Sequence, residues 1–165
     1  MPYKKSLLLY QDDPDYGLPL RIVLAAVPLL LLGAAAYLRS TGETDGALVL
    51  VLEAFLVGFI FWLVFPRKYQ VYEDHLGILL AGQLAVRIKF DHIARVEVTN
   101  RSSLTINYAT RFARTYVLIQ RIGALSIAIT PKSNEAFAAN ANLALSEWKR
   151  TRGGIVSPSI STRRR

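Results

Sequence analysis

The chain has 165 residues, of which 52% are apolar and only 19% charged, with a formal net charge of +8 and no cysteine. Soluble domains of this size carry about a quarter charged residues, so the apolar excess predicts a membrane segment. The lack of cysteine excludes disulfides, thiolate metal sites and cysteine nucleophiles, and two histidines are too few for a histidine-built metal site. We therefore expect no enzyme of the commoner kinds and no cofactor.

Two long apolar segments follow a short N-terminal segment, residues 1–17. The first covers 18–38, with Pro28 in its uncharged part 22–38, and the second covers 47–65 with one acidic residue inside it. At 1.5 Å per residue each approaches the thickness of a bilayer core, about 30 Å. The connection 39–46, RSTGETDG, is short and rich in turn-forming residues. These features predict an antiparallel hairpin of two transmembrane helices, with both chain ends on one side.

Two other interpretations of the hairpin are open. A buried helical hairpin of a soluble core needs a polar face, which these segments lack. A cleaved signal peptide is suggested by the small residues 34–36, which resemble a cleavage site. Asp12, Asp13 and Asp15, however, occupy the place of the basic region that begins such a leader.

The distribution of basic residues predicts the orientation of the hairpin. The connection between the apolar segments carries one basic residue. Five basic residues lie near the start of the first segment or directly after the second. The positive-inside rule then places both termini in the cytoplasm, in a multi-pass protein of the plasma (inner) membrane. The residues that are counted are Arg39 in the connection, and Lys4, Lys5, Arg21, Arg67 and Lys68 on the other side.

The acidic residue of the second apolar segment is Glu53, six residues and about 9 Å beyond the start of that segment. One interpretation is that it lies near the outer interface, protonated or paired with Arg39. The other is a functional intramembrane carboxylate, which is the default for a charge in this position. Small residues on both segments predict close packing of the two helices. They are Gly33 with the patch 33–36 on the first helix, and Ala54 and Gly58 on the second. The same residues are equally suited to contact with a second copy or a partner subunit.

After residue 66 the apolar residues recur with a period of two, which is typical of strands with one buried face. Turn-forming residues separate the stretches, so we expect short and mostly antiparallel neighbours. The predicted strands are seven: 69–73, 75–81, 84–90, 94–99, 103–108, 114–121 and 124–129.

A helical period returns after the last strand. Ser133 is expected to cap this helix, which runs to residue 150. One apolar face is expected to point into the core; it consists of Phe137, Ala141, Ala144, Leu145 and Trp148. Seven strands followed by such a helix predict, over 66–150, a small partly open barrel closed by the helix. Residues 151–165, rich in Ser, Gly, Pro and Arg, are predicted to form a disordered basic tail.

Three stretches of the C-terminal part carry a family resemblance: YQVYEDHLGIL at 69–79, IKFDHIARVE at 88–97 and AITPKSNEAF at 128–137. The first resembles the opening strands of the bacterial pleckstrin-homology-like domains, the second resembles a typical strand pair of these domains, and the third resembles the strand end that leads into their final helix. The resemblance covers about residues 67–150, and a preceding helix hairpin is a common arrangement in such proteins. It implies a pleckstrin-homology-type barrel but no particular activity.

The part from residue 66 onward has sixteen basic and six acidic residues. Such a surplus has two interpretations: a solvated basic surface that follows the positive-inside rule, or a surface that orients the domain against the anionic inner leaflet, with Arg67, Lys68, Arg111 and Arg114 as contacts. Phosphoinositide-binding members of the family use basic residues in the first strand-to-strand loop, which is acidic in this chain at 73–75. That departure gives no reason to expect a phosphoinositide pocket. Nucleic-acid binding is not expected either, because no basic recognition helix or aromatic stacking platform is present.

No glycine-rich phosphate loop, nucleophile elbow or metalloprotease motif occurs in the chain. His75 and His92 fall at a turn and in a strand connection and are expected at the surface. We predict a membrane-anchored binding or scaffolding module that engages another protein, or a second copy, at the cytoplasmic face. The alternatives are an accessory subunit of a transport or enzyme complex that uses Glu53 in the bilayer, and a sensor of anionic lipid that acts through Arg111 and Arg114.

Overall fold

The computed structural model describes residues 6–81, 84–100, 105–110 and 115–153, and every structural statement below concerns those residues. They form two long apolar helices, two β-sheets and a C-terminal helix. In chain order the elements are β1 (Leu8–Asp12), α1 (Leu18–Ser40), α2 (Thr44–Val64), β2 (Lys68–Tyr72), β3 (His75–Leu79), β4 (Ala85–Lys89), a 3₁₀ turn (Phe90–His92), β5 (Ile93–Thr99), β6 (Thr105–Asn107), β7 (Tyr116–Arg121), β8 (Ser126–Ile129) and α3 (Asn134–Gly153).

Helices α1 and α2 pack against each other as an antiparallel hairpin. The turn between them contains Gly42 at a φ of 91°, a left-handed conformation that favours glycine. Both helices are long and apolar enough to cross a membrane, and only 6% and 11% of their most apolar windows are buried. That low burial argues against a core helix of a soluble protein. Helix α1 ends two residues after the predicted apolar segment, and α2 begins three residues before its own. In both cases the flanking polar residues continue the helical turns.

The first sheet has the strand order β1-β2-β3-β4, with all neighbours antiparallel. Strand β1 lies in the N-terminal segment and was not predicted. It pairs with β2 along the register Tyr10–Val71, Gln11–Gln70 and Asp12–Tyr69. The helical hairpin is therefore inserted between two paired strands of one domain. A cleavage after Ala36 would remove β1 from its sheet, which argues against the signal-peptide interpretation.

The second sheet has the strand order β5-β7-β8-β6, in which β6 runs parallel to β8. All seven predicted strand regions of the C-terminal part contain a strand. The described strands form two four-stranded sheets and no closed barrel, so the predicted layout of two apolar helices, a strand-rich part and a C-terminal helix is confirmed. The number of strands is eight and not seven, because β1 adds a strand to the first sheet, and the 3₁₀ turn Phe90–His92 lies between the two sheets in the chain.

The hydrophobic core lies between the two sheets and α3. Phe137 of α3 is 1% exposed, and its ring centroid lies 6.2 Å from those of both Tyr10 and Tyr69. The apolar face predicted for this helix is confirmed: four of its residues are buried and Trp148 is partly buried against the same core. The helix continues to Gly153, three residues beyond the predicted end.

The two histidines differ in environment. His92 is exposed, as expected, within the 3₁₀ turn. The expectation that His75 lies at the surface is wrong, because it is the first residue of β3 and its side chain is only 11% exposed. The β2–β3 pairing brings its ring over Tyr72, with centroids 4.4 Å apart and ring planes 7° from parallel.

Candidate membrane anchor and domain cleft

A junction of aromatic and backbone contacts joins the two ends of the hairpin at the domain. The Tyr16 hydroxyl donates a hydrogen bond of 2.5 Å to the carbonyl oxygen of Pro66, and the rings of Tyr16 and Phe65 lie 6.3 Å apart. Burial raises the pKa of Tyr16, against an opposing effect of Arg67, so the hydroxyl stays protonated and able to donate. Tyr16, two positions before α1, is in this way bonded to Pro66, two positions after the end of α2.

A buried pair of threonines holds the segment before α1 from the other side. The Thr110 amide donates to the Thr130 hydroxyl oxygen over 2.8 Å, and the Thr110 hydroxyl donates to the Asp15 carbonyl over 2.8 Å. The Asp15 amide donates in turn to the Thr130 carbonyl, and the Gly17 amide to the Thr110 carbonyl. Because both threonines are at most 1% exposed, water does not compete for these hydrogen bonds.

The acidic residues of the N-terminal segment contact the start of α3. An oxygen of the Asp12 carboxylate accepts the Ser133 amide hydrogen at 2.9 Å, in the way that the acidic residue of a capping box does. Asp13 forms an ion pair of 3.0 Å with Lys132 at the surface. A negative charge at this end of a helix is also favoured by the helix dipole. The run of acidic residues before α1 thus fastens the N-terminal segment to the domain.

Small residues lie between α1 and α2, although not all of the predicted ones. Ala54 is buried there, together with Ala35 and Ala47. Gly33 is exposed, and a Cβ added at Gly33 or Gly58 would meet no neighbouring atom within 4 Å. These two glycines therefore do not bring the helices together, unlike Ala54.

An apolar groove runs along the hairpin beside the helix contact. Its volume is about 530 Å³. Its walls are almost entirely apolar, so within a bilayer it is suited to hydrocarbon. The groove is lined by Pro28, Leu32, Ala54, Phe55, Gly58, Phe59 and Trp62.

The predicted membrane-surface residues have separate locations. The Arg67 guanidinium lies 4.9 Å from the centre of the Trp62 ring, at the end of α2 where it joins the domain. Lys68 is half-buried at the first position of β2. Tryptophan and arginine together are typical of a membrane–water interface. Arg111 and Arg114, like the predicted tail from residue 154 onward, lie outside the described residues.

Glu53 is the tenth of the 21 residues of α2 and is exposed on the surface of the hairpin. Within the described residues its carboxylate has no hydrogen bond and no ion pair, so the predicted pairing with Arg39 is not formed. A carboxylate in the hydrocarbon region costs up to about 3 kcal/mol of insertion free energy. A protein helix that faces this side would lower that cost.

A polar cleft of about 490 Å³ lies at the far side of the domain, between the β2–β3 turn, β1 and the end of α3. Its floor contains Trp148, over which the Arg152 guanidinium lies 5.0 Å from the ring centre. Its polar rim is mainly acidic, in contrast to the basic surplus of the domain. The lining residues include Ser6, Leu9, Glu73, Asp74, Glu147, Trp148 and Arg152.

One edge of the cleft is stiffened by Asp74. Its carboxylate oxygen lies 2.5 Å from Nδ1 of His75. Partial burial raises the pKa of Asp74, but hydrogen bonds from His75 and Ser6 outweigh that effect, and the pKa is lowered overall. The same carboxylate accepts from both side chains, so His75 is engaged in ordering the turn. Among the described residues, no three histidine, aspartate or glutamate side chains converge to form a metal site.

Sequence reasoning missed three contributors to these sites: β1, Asp12 and the burial of His75. A signal for β1 was available in the apolar run 7–10, directly before the acidic residues. No local signal identifies the contact of Asp12 with Ser133, because 121 positions separate them.

No protein-family model, curated protein or solved structure matches this chain. Its described residues form an apolar two-helix hairpin that is inserted into a domain of two sheets and a helix.

Proposed function

We propose that this protein is a membrane-anchored binding and scaffolding module with a pleckstrin-homology-like domain. Helices α1 and α2 span the inner membrane, both chain ends are cytoplasmic, and the domain engages another protein at that membrane face. The observation that carries the proposal is the insertion of the hairpin between the paired strands β1 and β2.

This insertion suits a scaffold because it restricts the orientation of the domain. Only three residues separate the end of α2 from β2, and five separate β1 from α1. The first connection is hydrogen-bonded to the domain through Thr110, and the second through the Arg67 amide, which donates to the Leu79 carbonyl. The hydrogen bond of Tyr16 to Pro66 joins the two connections to each other. A domain attached at two points cannot rotate freely relative to its anchor, so any partner surface is held at a defined height and angle above the bilayer.

The distribution of charge supports the cytoplasmic orientation. Arg67 and Lys68 directly follow α2, and the part of the chain from residue 66 carries the basic surplus. The family resemblance is supported by the order of elements, in which mostly antiparallel strands are followed by one helix packed on the core. The cleft around Trp148 supports protein binding, because it combines a partly buried aromatic floor with polar rims.

The absence of cysteine allows a direct test of the topology. In intact cells, a membrane-impermeant maleimide should label Glu43→Cys, in the turn of the hairpin, from outside. It should label Glu135→Cys, on the exposed side of α3, only after permeabilisation. Both variants should remain in the membrane after a carbonate wash. The reverse labelling pattern, or release by carbonate, would refute the proposed anchoring.

Partner binding can be tested with a photoreactive thiol reagent in cells. Attached to Glu147→Cys at the cleft, it should produce one discrete adduct with another polypeptide or a second copy. Attached to Glu135→Cys, which lies on the same helix outside the cleft, it should not. Equal adduct patterns from the two positions would show that the cleft is not the binding surface.

A second candidate function is supported by Glu53. An exposed carboxylate within α2 is what a subunit of a larger membrane assembly would present, as in a transport or enzyme complex. Glu53→Gln should then reduce assembly or activity of that complex while leaving membrane insertion unchanged. A fully assembled and active complex with Glu53→Gln would argue against this function.

A further inference from the structure

One face of α2 carries a stripe of exposed residues with the spacing of a helix–helix seam. Val49, Glu53, Leu56 and Ile60 are separated by four, three and four positions, which places them in one line along the helix. The three apolar members are 53%, 58% and 45% exposed, and Glu53 is exposed with them. We call these four residues the α2 stripe.

The α2 stripe points away from the contacts that the hairpin already makes. At 100° per residue it is turned well away from the face of Ala47 and Ala54, which are buried against α1. It also lies on the side of α2 opposite Phe55, which lines the apolar groove. The stripe is therefore a separate surface, uncovered within the described chain.

The position of Glu53 indicates that this surface is covered in the assembled state. Glu53 lies six residues, about 9 Å, beyond Ala47, the first residue of the apolar run. Ionisable residues at such depth almost always face the interior of a helix bundle and pair with another group. The hairpin has no interior on this side, so another helix must provide it.

The charge of Glu53 specifies the chemistry of that helix. The basic residues of the hairpin, Arg21 and Arg39, lie near the two ends of α1. A second copy that packs by the same stripe would therefore offer only another carboxylate at this depth. A complementary charge must come from a different protein.

We propose that the α2 stripe docks a transmembrane helix of another membrane protein, and that this helix carries a lysine or arginine at the depth of Glu53. The inference rests on the proposed function, in which α1 and α2 span the membrane, and it names the chemistry of the partner. The apolar members of the stripe supply packing, and the ion pair sets depth and register, as a single polar residue does in a coiled-coil seam.

The experiment uses the full-length protein in phospholipid vesicles, with a donor dye on Glu43→Cys. The probes are acceptor-labelled synthetic leucine–alanine helices that carry lysine, leucine or glutamate at the depth of Glu53. Half-maximal energy transfer should require roughly tenfold less of the lysine helix than of the leucine helix. The glutamate helix should show no preference over leucine.

Two variants locate the effect. Glu53→Leu should remove the preference for the lysine helix, whereas Phe55→Leu, on the opposite side of α2, should retain it. A preference that survives Glu53→Leu, or equal transfer for lysine and leucine helices, would overturn the proposal. So would energy transfer between donor- and acceptor-labelled copies that Glu53→Leu abolishes, because a second copy would then cover the stripe. Resistance to carbonate is measured on each variant, so a failure of membrane anchoring is seen separately from a failure of docking.

Discussion

The Tyr16 hydroxyl and the Pro66 carbonyl oxygen lie 2.5 Å apart, although fifty positions and the whole helical hairpin separate the two residues. This hydrogen bond joins the two segments that connect the domain to the hairpin, 13–17 and 65–67. Four predictions test how these connecting segments and the domain around them are stabilised.

The first prediction concerns Tyr16 itself. Tyr16→Phe removes the hydrogen bond to Pro66 and keeps the ring contact with Phe65, so the free energy of unfolding should fall by about 1 kcal/mol. Urea titration of the full-length protein in a mild detergent measures this change. Tyr37→Phe, at a 68% exposed position of α1, is the matched control and should have no effect. Equal effects of both variants would contradict the proposed role of the junction.

The second prediction separates two adjacent acidic residues. Asp12→Ala removes the acceptor of the Ser133 amide and should cost about 1 kcal/mol. Asp13→Asn breaks only the exposed ion pair with Lys132 and should cost less than about 0.5 kcal/mol. The same denaturant titration compares them, and added salt should weaken only the Asp13 contribution. A larger loss for Asp13→Asn than for Asp12→Ala would be inconsistent with the capping contact.

The third prediction concerns the buried threonines. Thr110→Val removes the hydroxyl that donates to the Asp15 carbonyl and also contacts the Thr130 hydroxyl, so the loss should be about 1–3 kcal/mol. Thr110→Ser keeps the hydroxyl and should lose less. Thermal unfolding in detergent, followed by far-UV circular dichroism, measures both. If valine is tolerated as well as serine, the hydroxyl does not stabilise the segment before α1.

The fourth prediction is a dependence of stability on pH. The folded protein lowers the pKa of Asp74, so its ionised form stabilises the fold above the unfolded-state value of about 4. This contribution disappears as the pH falls through the lower, folded-state pKa. Unfolding midpoints between pH 5 and pH 2.5 should therefore decline more steeply for the natural protein than for Asp74→Asn. Asp91→Asn, at an exposed position, is the control, and an unchanged slope for Asp74→Asn would contradict the prediction.

The helices and strands of the C-terminal part were predictable where one face of the element is buried and the other is exposed. In β2, Tyr69 and Val71 are buried while their neighbours are half-exposed, which is the pattern that a period of two describes. Strand β3 is buried on both faces over most of its length, so its alternation is weaker in the sequence. Helix α3 was predictable from its apolar face, which the core confirms.

The features that the sequence did not predict depend on contacts between distant parts of the chain. Strand β1 is mostly exposed at the edge of its sheet, so its own pattern is weak and only its pairing with β2 defines it. The burial of His75 results from the ring of Tyr72, which the sheet places above it. The direction of Glu53 follows from which face of α2 packs on α1, and Ala47 and Ala54 identify that face only once the helices are paired.

The pairing of β1 with β2 also sets an order of events during synthesis. Asp12 leaves the ribosome 56 positions ahead of Lys68, and the two helices that lie between them are made in the interval. In the proposed membrane topology, β1 therefore stays unpaired until the hairpin has been inserted and β2 has emerged. A chain then completes its first sheet only if its hairpin has returned to the starting side, so folding of the domain would report correct insertion.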